Sequence, residues 1–154
     1  MLQKNIYFDL SNYIEGRSKI NCHSHNLKDD SFKDFDLETL INNSYLNTRW
    51  TGLQFDGSYK SRKDFLDKVQ YKSYFIWLQK SLQKIYETDR LLTADNWDYF
   101  SDRIKEAYTD NKTNINILKH KCKYEKVILD AYWDPGSDSG HKGFFTPTFR
   151  VNMF

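Results

Sequence analysis

Two histidines separated by a single residue, His23 and His25, are the side chains best placed for chemistry in this sequence. They lie in the run 18–25, which follows a helix-like segment that ends near Gly16. Because residues i and i+2 of a strand point to the same face, an extended conformation would direct both imidazoles towards one point. Neutral imidazoles suit a divalent transition metal, although an isolated His-x-His is more often a solvated or hydrogen-bonded pair.

The elements that must position these histidines are predicted from the spacing of apolar residues. Apolar positions that share one helix face predict six helices, with Ser61 capping the third and Thr93–Asn96 starting the fifth. Two further β-like runs and several polar or glycine-rich loops complete the pattern. The predicted helices cover 3–15, 37–45, 61–69, 74–86, 94–108 and 114–121, the strands cover 18–25, 125–130 and 146–154, and the loops cover 26–36, 51–61 and 134–140.

The order of these elements predicts the fold class. Three strands separated by helical stretches indicate an α/β fold with a parallel sheet, in one domain over residues 1–154. The sequence ends inside an apolar strand, which would leave an open sheet edge and no covering helix. We therefore expect the N-terminal portion of a longer protein. The alternative is a complete small domain whose last strand pairs internally or with a second copy, as a homo-oligomer.

Composition argues against several classes of partner. The 23 Lys and Arg residues nearly balance the 21 Asp and Glu residues and are interspersed with them, so no basic stripe predicts a nucleic-acid partner. The longest apolar runs are short and the N-terminus has no hydrophobic signal core, so no membrane partner is expected. Cys22 and Cys122 are too few for a disulfide scaffold, and we expect a reducing, cytoplasmic setting.

Seven segments carry a recognisable order of motifs: Asn21–His25, Asn43–Tyr45, Arg49–Gly52, Tyr74–Tyr86, Leu92–Trp97, Val127–Pro135 and Pro147–Arg150. Together they resemble the start of the amidohydrolase superfamily, in its uronate isomerase branch. In that family the first strand ends in His-x-His, a block of helices follows, and a later strand ends in Pro-Thr-Phe-Arg-Pro-Asp.

Three departures from the family pattern stand in this sequence. Asn21 replaces an Asp at the first motif, and Val151-Asn152 replaces the Pro-Asp pair after Arg150. Ser44–Arg49 replaces a His-Tyr-x-x-Arg motif and is one residue longer. These differences indicate a divergent relative.

The resemblance implies the first strands of a (β/α)8 TIM barrel, with a helical insertion at about 37–121 after strand 1. It also implies a divalent metal, zinc or alternatively manganese, with His23 and His25 as ligands. Catalytic sites usually have three protein ligands, and the family's late-strand Asp has no counterpart in this sequence. We therefore expect this chain by itself to bind metal weakly or not at all, and to be inactive alone.

The resemblance also implies a small-molecule substrate, a sugar acid undergoing aldose–ketose isomerisation. Arg150 is the candidate for binding its carboxylate through a two-pronged match, or else it forms a structural salt bridge to a loop aspartate. Tyr45 and Arg49 would add a hydroxyl and a second cation, although helix-face packing is the commoner role for them. Asp130 and Asp134 close the second strand, where loop capping is favoured over positioning a substrate hydroxyl.

Two other functions fit the same residues. A metal-dependent hydrolase of an amide or ester would use the metal to activate water. A non-catalytic module would instead use the abundant aromatic residues to bind a sugar or a partner protein. His120, in a lysine-rich helix end, and His141, in a glycine-rich loop, receive no role.

Overall fold

The computed structural model describes residues 2–150, which form two compact units. One unit comprises the described residues up to Phe32 and from Lys112 onward, and contains the sheet; the other is the helical unit Lys33–Asn111. In chain order the elements are α1 (Leu2–Glu15), β1 (Lys19–Ser24), a 3-10 turn (Asp29–Phe32), α2 (Leu37–Asn42), α3 (Thr48–Thr51), α4 (Tyr59–Val69), α5 (Ser73–Ile85), α6 (Trp97–Ala107), α7 (Thr113–Asn116), a π-helical segment (Ile117–Lys121), β2 (Tyr124–Leu129) and β3 (Phe145–Pro147).

The sheet unit is built on three parallel strands in the order β1-β2-β3. This arrangement confirms the coarser prediction, a mixed α/β fold with a parallel sheet. The connection between β2 and β3, residues 130–144, contains turns and no helix, unlike the helical crossover that parallel strands usually have. The predicted third strand is shorter than expected, because it ends at Pro147. Its predicted continuation through 151–154 lies outside the described residues.

The core of the sheet unit lies on one face of the sheet. Val127, Leu129 and Phe145 are almost completely buried, together with Ile115 and Phe144. Val127 and Leu129 are two residues apart on β2, so the period-2 alternation of a strand directs both side chains to the same face. Burying each such apolar side chain contributes about 1.5–3 kcal/mol. This packing fixes the strand ends at which the histidines and the acidic residues lie.

Helix α1 forms where the sequence predicts it, but its apolar face is not buried. Ile6, Tyr7, Leu10, Tyr13 and Ile14 are each at least 50% exposed. The regular apolar spacing therefore predicted the helix correctly, while the packing expected of that face is not present in the described part of the chain.

The helical unit has its own core, formed mainly by α2, α4 and α6. Phe65, Trp97 and Phe100 are its largest fully buried side chains. Helix α4 begins at Tyr59 because Ser58 accepts a hydrogen bond from the backbone N–H of Ser61, so the predicted cap at Ser61 was wrong by three residues.

Two other helix boundaries in this unit differ from the prediction. Helix α2 ends at Asn42 rather than at residue 45, since the Ser44 hydroxyl donates to the Ile41 carbonyl just beyond it. Helix α6 begins at Trp97, because Thr93 and Asn96 exchange hydrogen bonds in a turn before it.

Within residues 2–150, no helix combines the length and the apolar character needed to cross a membrane.

Candidate metal centre

The sheet unit brings His23 and His25 together at the carboxyl end of β1. His23 is the fifth residue of the strand, and His25 follows its last residue, Ser24. The two Nε2 atoms are 3.1 Å apart, and the rings meet edge to face with their centroids 4.7 Å apart. The separation of one residue thus places two ring nitrogens at one point.

The 3.1 Å separation between the Nε2 atoms is suitable for two ligands of one ion. With metal–nitrogen distances of about 2.0–2.1 Å, nitrogens at that separation subtend an angle of roughly 95–100° at the metal. That angle lies between the ideal values for octahedral and tetrahedral coordination. Without an ion, the same distance accommodates a hydrogen bond in which one ring donates to the other.

The protonation pattern of His25 is set by the backbone of the neighbouring strand. Its Nδ1 atom lies 2.7 Å from the carbonyl oxygen of Asp130. A carbonyl only accepts hydrogen bonds, so Nδ1 carries the proton and, in the neutral ring, Nε2 keeps its lone pair. Metal-ligating histidines are typically oriented in this way, by donating their other N–H to a carbonyl or carboxylate.

Asp130 places a carboxylate beside the two histidines. It directly follows β2, and its backbone N–H donates to the Ser24 carbonyl at 2.8 Å, which aligns the ends of the two parallel strands. One candidate ligand atom from each of His23, His25 and Asp130 lies within 4.8 Å of the other two. Two ligands of one ion are at most about 4.2 Å apart. Asp130 Oδ2 lies 4.0 Å from Nδ1 of His25, so the carboxylate is a candidate third ligand that would have to move, or to bind through a water, to share an ion held by the two Nε2 atoms.

Arg150 forms a salt bridge with Asp130, which is the second of the two roles that the sequence suggested for this arginine. Its Nε lies 2.9 Å from Oδ2 and 3.1 Å from Oδ1 of Asp130, and its Nη2 lies 2.5 Å from Oδ2. The hydrogen bonds from Arg150 hold the pKa of Asp130 below its ordinary value, against the opposing effect of burial. The carboxylate is thus kept ionised, as a metal ligand must be.

No protein-family model, curated protein or solved structure matches this chain. The family resemblance therefore stays a prediction that rests on the sequence motifs.

Tyr132 and Trp133 flank the centre and were not predicted to belong to it. The ring centroid of His25 lies 5.8 Å from that of Tyr132 and 6.2 Å from that of Trp133. The only sequence signal was their position directly after the strand that was predicted to end at Asp130.

In the same turn, Asp134 pairs with Lys28 at 3.1 Å, and hydrogen bonds from Lys28 and Ser137 lower the pKa of Asp134.

The remaining predicted substrate residues lie in the helical unit, which carries neither histidine of the centre. Tyr45 is 60% exposed and stacks on Tyr74, with ring centroids 4.9 Å apart. Arg49 is an exposed residue of α3. Their assignment to substrate binding stays a prediction.

Neither of the other two histidines joins the cluster around His25. His141, in the sheet unit, pairs through Nε2 with the carboxylate of Asp29 at 2.9 Å. His120 is an exposed residue of the π-helical segment.

Proposed function

We propose that this chain carries the divalent-metal centre of an enzyme that acts on a small molecule by chemistry of the amidohydrolase type. The observation that carries the proposal is the geometry of His25. Its Nδ1–H is fixed by the Asp130 carbonyl, and its Nε2 lies 3.1 Å from Nε2 of His23. Two imidazoles whose Nε2 atoms are held this close together, beside a buried carboxylate, suit zinc or manganese.

The order of the strands supports a further proposal, that the sheet is the beginning of a (β/α)8 barrel. In such a barrel each strand lies parallel beside the preceding one, as β1, β2 and β3 do. Active sites of these barrels are built at the carboxyl ends of the strands, and His25, Asp130 and Arg150 all follow strand ends here. Cys22 and Cys122 are thiols rather than halves of a disulfide, which supports a reducing compartment such as the cytoplasm.

In the proposed reaction each residue has a limited task. A bound ion would polarise a carbonyl and lower the pKa of water. His23 and His25 would hold that ion, and Asp130 would supply a third, negatively charged ligand. In place of the sequence-based expectation of weak or absent binding and no activity, we therefore propose that this chain binds the ion and acts on a substrate by itself. Arg150 would keep the Asp130 carboxylate ionised and correctly oriented, as a positioning residue.

Two reactions are candidates, and different observations favour them. The family resemblance favours isomerisation of a sugar acid, which needs a cation for the substrate carboxylate. The geometry of Arg150 favours hydrolysis of an amide or ester, because its guanidinium already forms a two-pronged pair with Asp130, from Nε to Oδ1 and from Nη2 to Oδ2. We therefore regard hydrolysis as the reaction that the site supports better.

A paired assay tests the proposal. The protein, loaded with Zn²⁺ or Mn²⁺, is incubated with a panel of amides and esters and, separately, with glucuronate and galacturonate. Turnover of amides or esters supports hydrolysis, and turnover of the uronates supports isomerisation. The double variant His23→Ala/His25→Ala, checked for its fold by circular dichroism, is the control and should lose either activity. If the metal-loaded protein turns over neither panel, the enzymatic proposal fails and a non-catalytic module is favoured.

A further inference from the structure

Two half-exposed aromatic rings form a wall beside the metal centre, and nothing in the sequence motifs assigns them a role. This aromatic wall consists of Tyr132 and Trp133, which are 47% and 45% exposed. Their ring centroids are 4.9 Å apart in an edge-to-face arrangement, and both rings approach the ring of His25. Exposed apolar surface beside a few polar side chains is typical of a binding pocket, where it contacts the apolar part of a bound molecule.

The wall is held in place from both sides. The guanidinium of Arg150 lies over the ring of Tyr132, 5.0 Å from its centroid. The turn that carries both rings is closed by a hydrogen bond from the Asp134 N–H to the Ala131 carbonyl at 2.9 Å. The Lys28–Asp134 ion pair joins that turn to the segment following β1. A fixed pair of rings loses little conformational entropy when a ligand packs against it.

The charges around the wall favour an uncharged ligand part. Arg150 is paired with Asp130, and Lys28 is paired with Asp134, so the two cations that contact this turn among residues 2–150 already have carboxylate partners. A second carboxylate on the ligand would compete with these pairs. A neutral ring, by contrast, can pack edge to face or offset against Tyr132 and Trp133 without displacing either pair.

From this arrangement we infer that the substrate has an uncharged ring attached directly to its metal-binding carbonyl group, and that Tyr132 and Trp133 select for that ring. The inference rests on the proposed function, since it needs a metal at His23 and His25. The ring centroids of Tyr132 and Trp133 lie 5.8 and 6.2 Å from the ring centroid of His25, so the wall is close to this candidate metal ligand. We therefore place the ring directly next to the carbonyl group.

Two hydroxamates that differ only in the ring test the inference. Acetohydroxamate and benzohydroxamate both bind divalent metals, and their dissociation constants for the zinc-loaded protein are measured by isothermal titration calorimetry. We expect benzohydroxamate to bind about tenfold more tightly, from partial burial of its ring. Trp133→Ala should remove most of this preference and leave acetohydroxamate binding unchanged, whereas Trp133→Phe should retain most of it.

A matched control separates the wall from general loss of aromatic surface. Trp77→Ala removes a 66% exposed tryptophan from α5 in the helical unit and should leave both dissociation constants unchanged. The zinc content of every variant is measured by elemental analysis. If zinc is bound but Trp133→Ala keeps the full preference for the ring, the inference is overturned and the proposed function stands. If the wild-type protein takes up no zinc, both are overturned.

Discussion

The Nδ1 atom of His25 and the backbone carbonyl oxygen of Asp130 are 2.7 Å apart. This contact joins the residue after β1 to the residue after β2, and it holds the imidazole with Nε2 directed towards His23. Because the acceptor is a backbone atom, side-chain substitutions at position 130 leave it in place. The orientation of His25 and the charge of Asp130 can therefore be tested separately.

Substitution of the Asp130 side chain tests its share in metal binding. Asp130→Asn removes the carboxylate charge and keeps the backbone acceptor for His25. We expect the affinity for Zn²⁺ to fall by roughly 10- to 100-fold, as measured by competition with a chromogenic chelator. An affinity equal to that of the wild-type protein would show that the carboxylate takes no part in holding the ion.

Substitution of Arg150 distinguishes a positioning residue from a substrate-binding residue. Arg150→Gln leaves the Asp130 carboxylate without its two-pronged partner, so we expect about a tenfold loss of Zn²⁺ affinity. Arg17, an arginine next to Tyr13 in the same unit, offers the control Arg17→Gln, which should bind Zn²⁺ normally. A normal Zn²⁺ affinity in Arg150→Gln, with a raised KM for a carboxylate substrate, would instead assign Arg150 to substrate binding.

The Lys28–Asp134 pair predicts a pH dependence with a defined sign. Lys28 and Ser137 lower the pKa of Asp134 in the folded protein below its value in the unfolded chain, about 3.9. The contribution of this pair to stability is therefore present above the unfolded pKa and is lost as the pH falls through the lower folded pKa.

Lys28→Met should raise the pKa of Asp134 towards its ordinary value, because the hydrogen bond that lowers this pKa most is removed. The titration of the Asp134 carboxyl carbon, followed by NMR in both proteins, measures the change. Coincident titration curves would contradict the role given to Lys28.

The core of the helical unit predicts a stability difference between buried and exposed aromatic positions. Phe100 is 0% exposed, and Phe100→Ala should lower the free energy of unfolding by about 3–5 kcal/mol through lost burial and a residual cavity. Tyr71 is 87% exposed, so Tyr71→Ala should change it by less than about 0.5 kcal/mol. Urea denaturation gives both values, and similar costs at the two positions would argue against this core.

The features that follow from local periodicity were predictable from the sequence. The alternation of a strand predicted that His23 and His25 share a face, and the helical spacing of apolar residues predicted α1, α5 and α6 to within a few residues. Helix starts were less accurate, because Ser58 and Ser61 are both competent caps and only the folded geometry decides between them.

The contacts that depend on long-range packing were not predictable in the same way. Arg150 and Asp130 are 20 residues apart, and their pairing requires β3 to lie beside β2. Sequence reasoning offered this salt bridge only as one of two alternatives. The approach of Tyr132 and Trp133 to His25 depends on the register between β1 and β2, for which neither aromatic residue gives a local signal.

The central claim is that His23 and His25 together hold one divalent ion, and zinc stoichiometry tests it most directly. Equilibrium dialysis followed by elemental analysis should give one Zn²⁺ per wild-type chain and none per chain of a folded His23→Ala/His25→Ala variant. No zinc on the wild-type chain, or the same stoichiometry in the double variant, would contradict the claim.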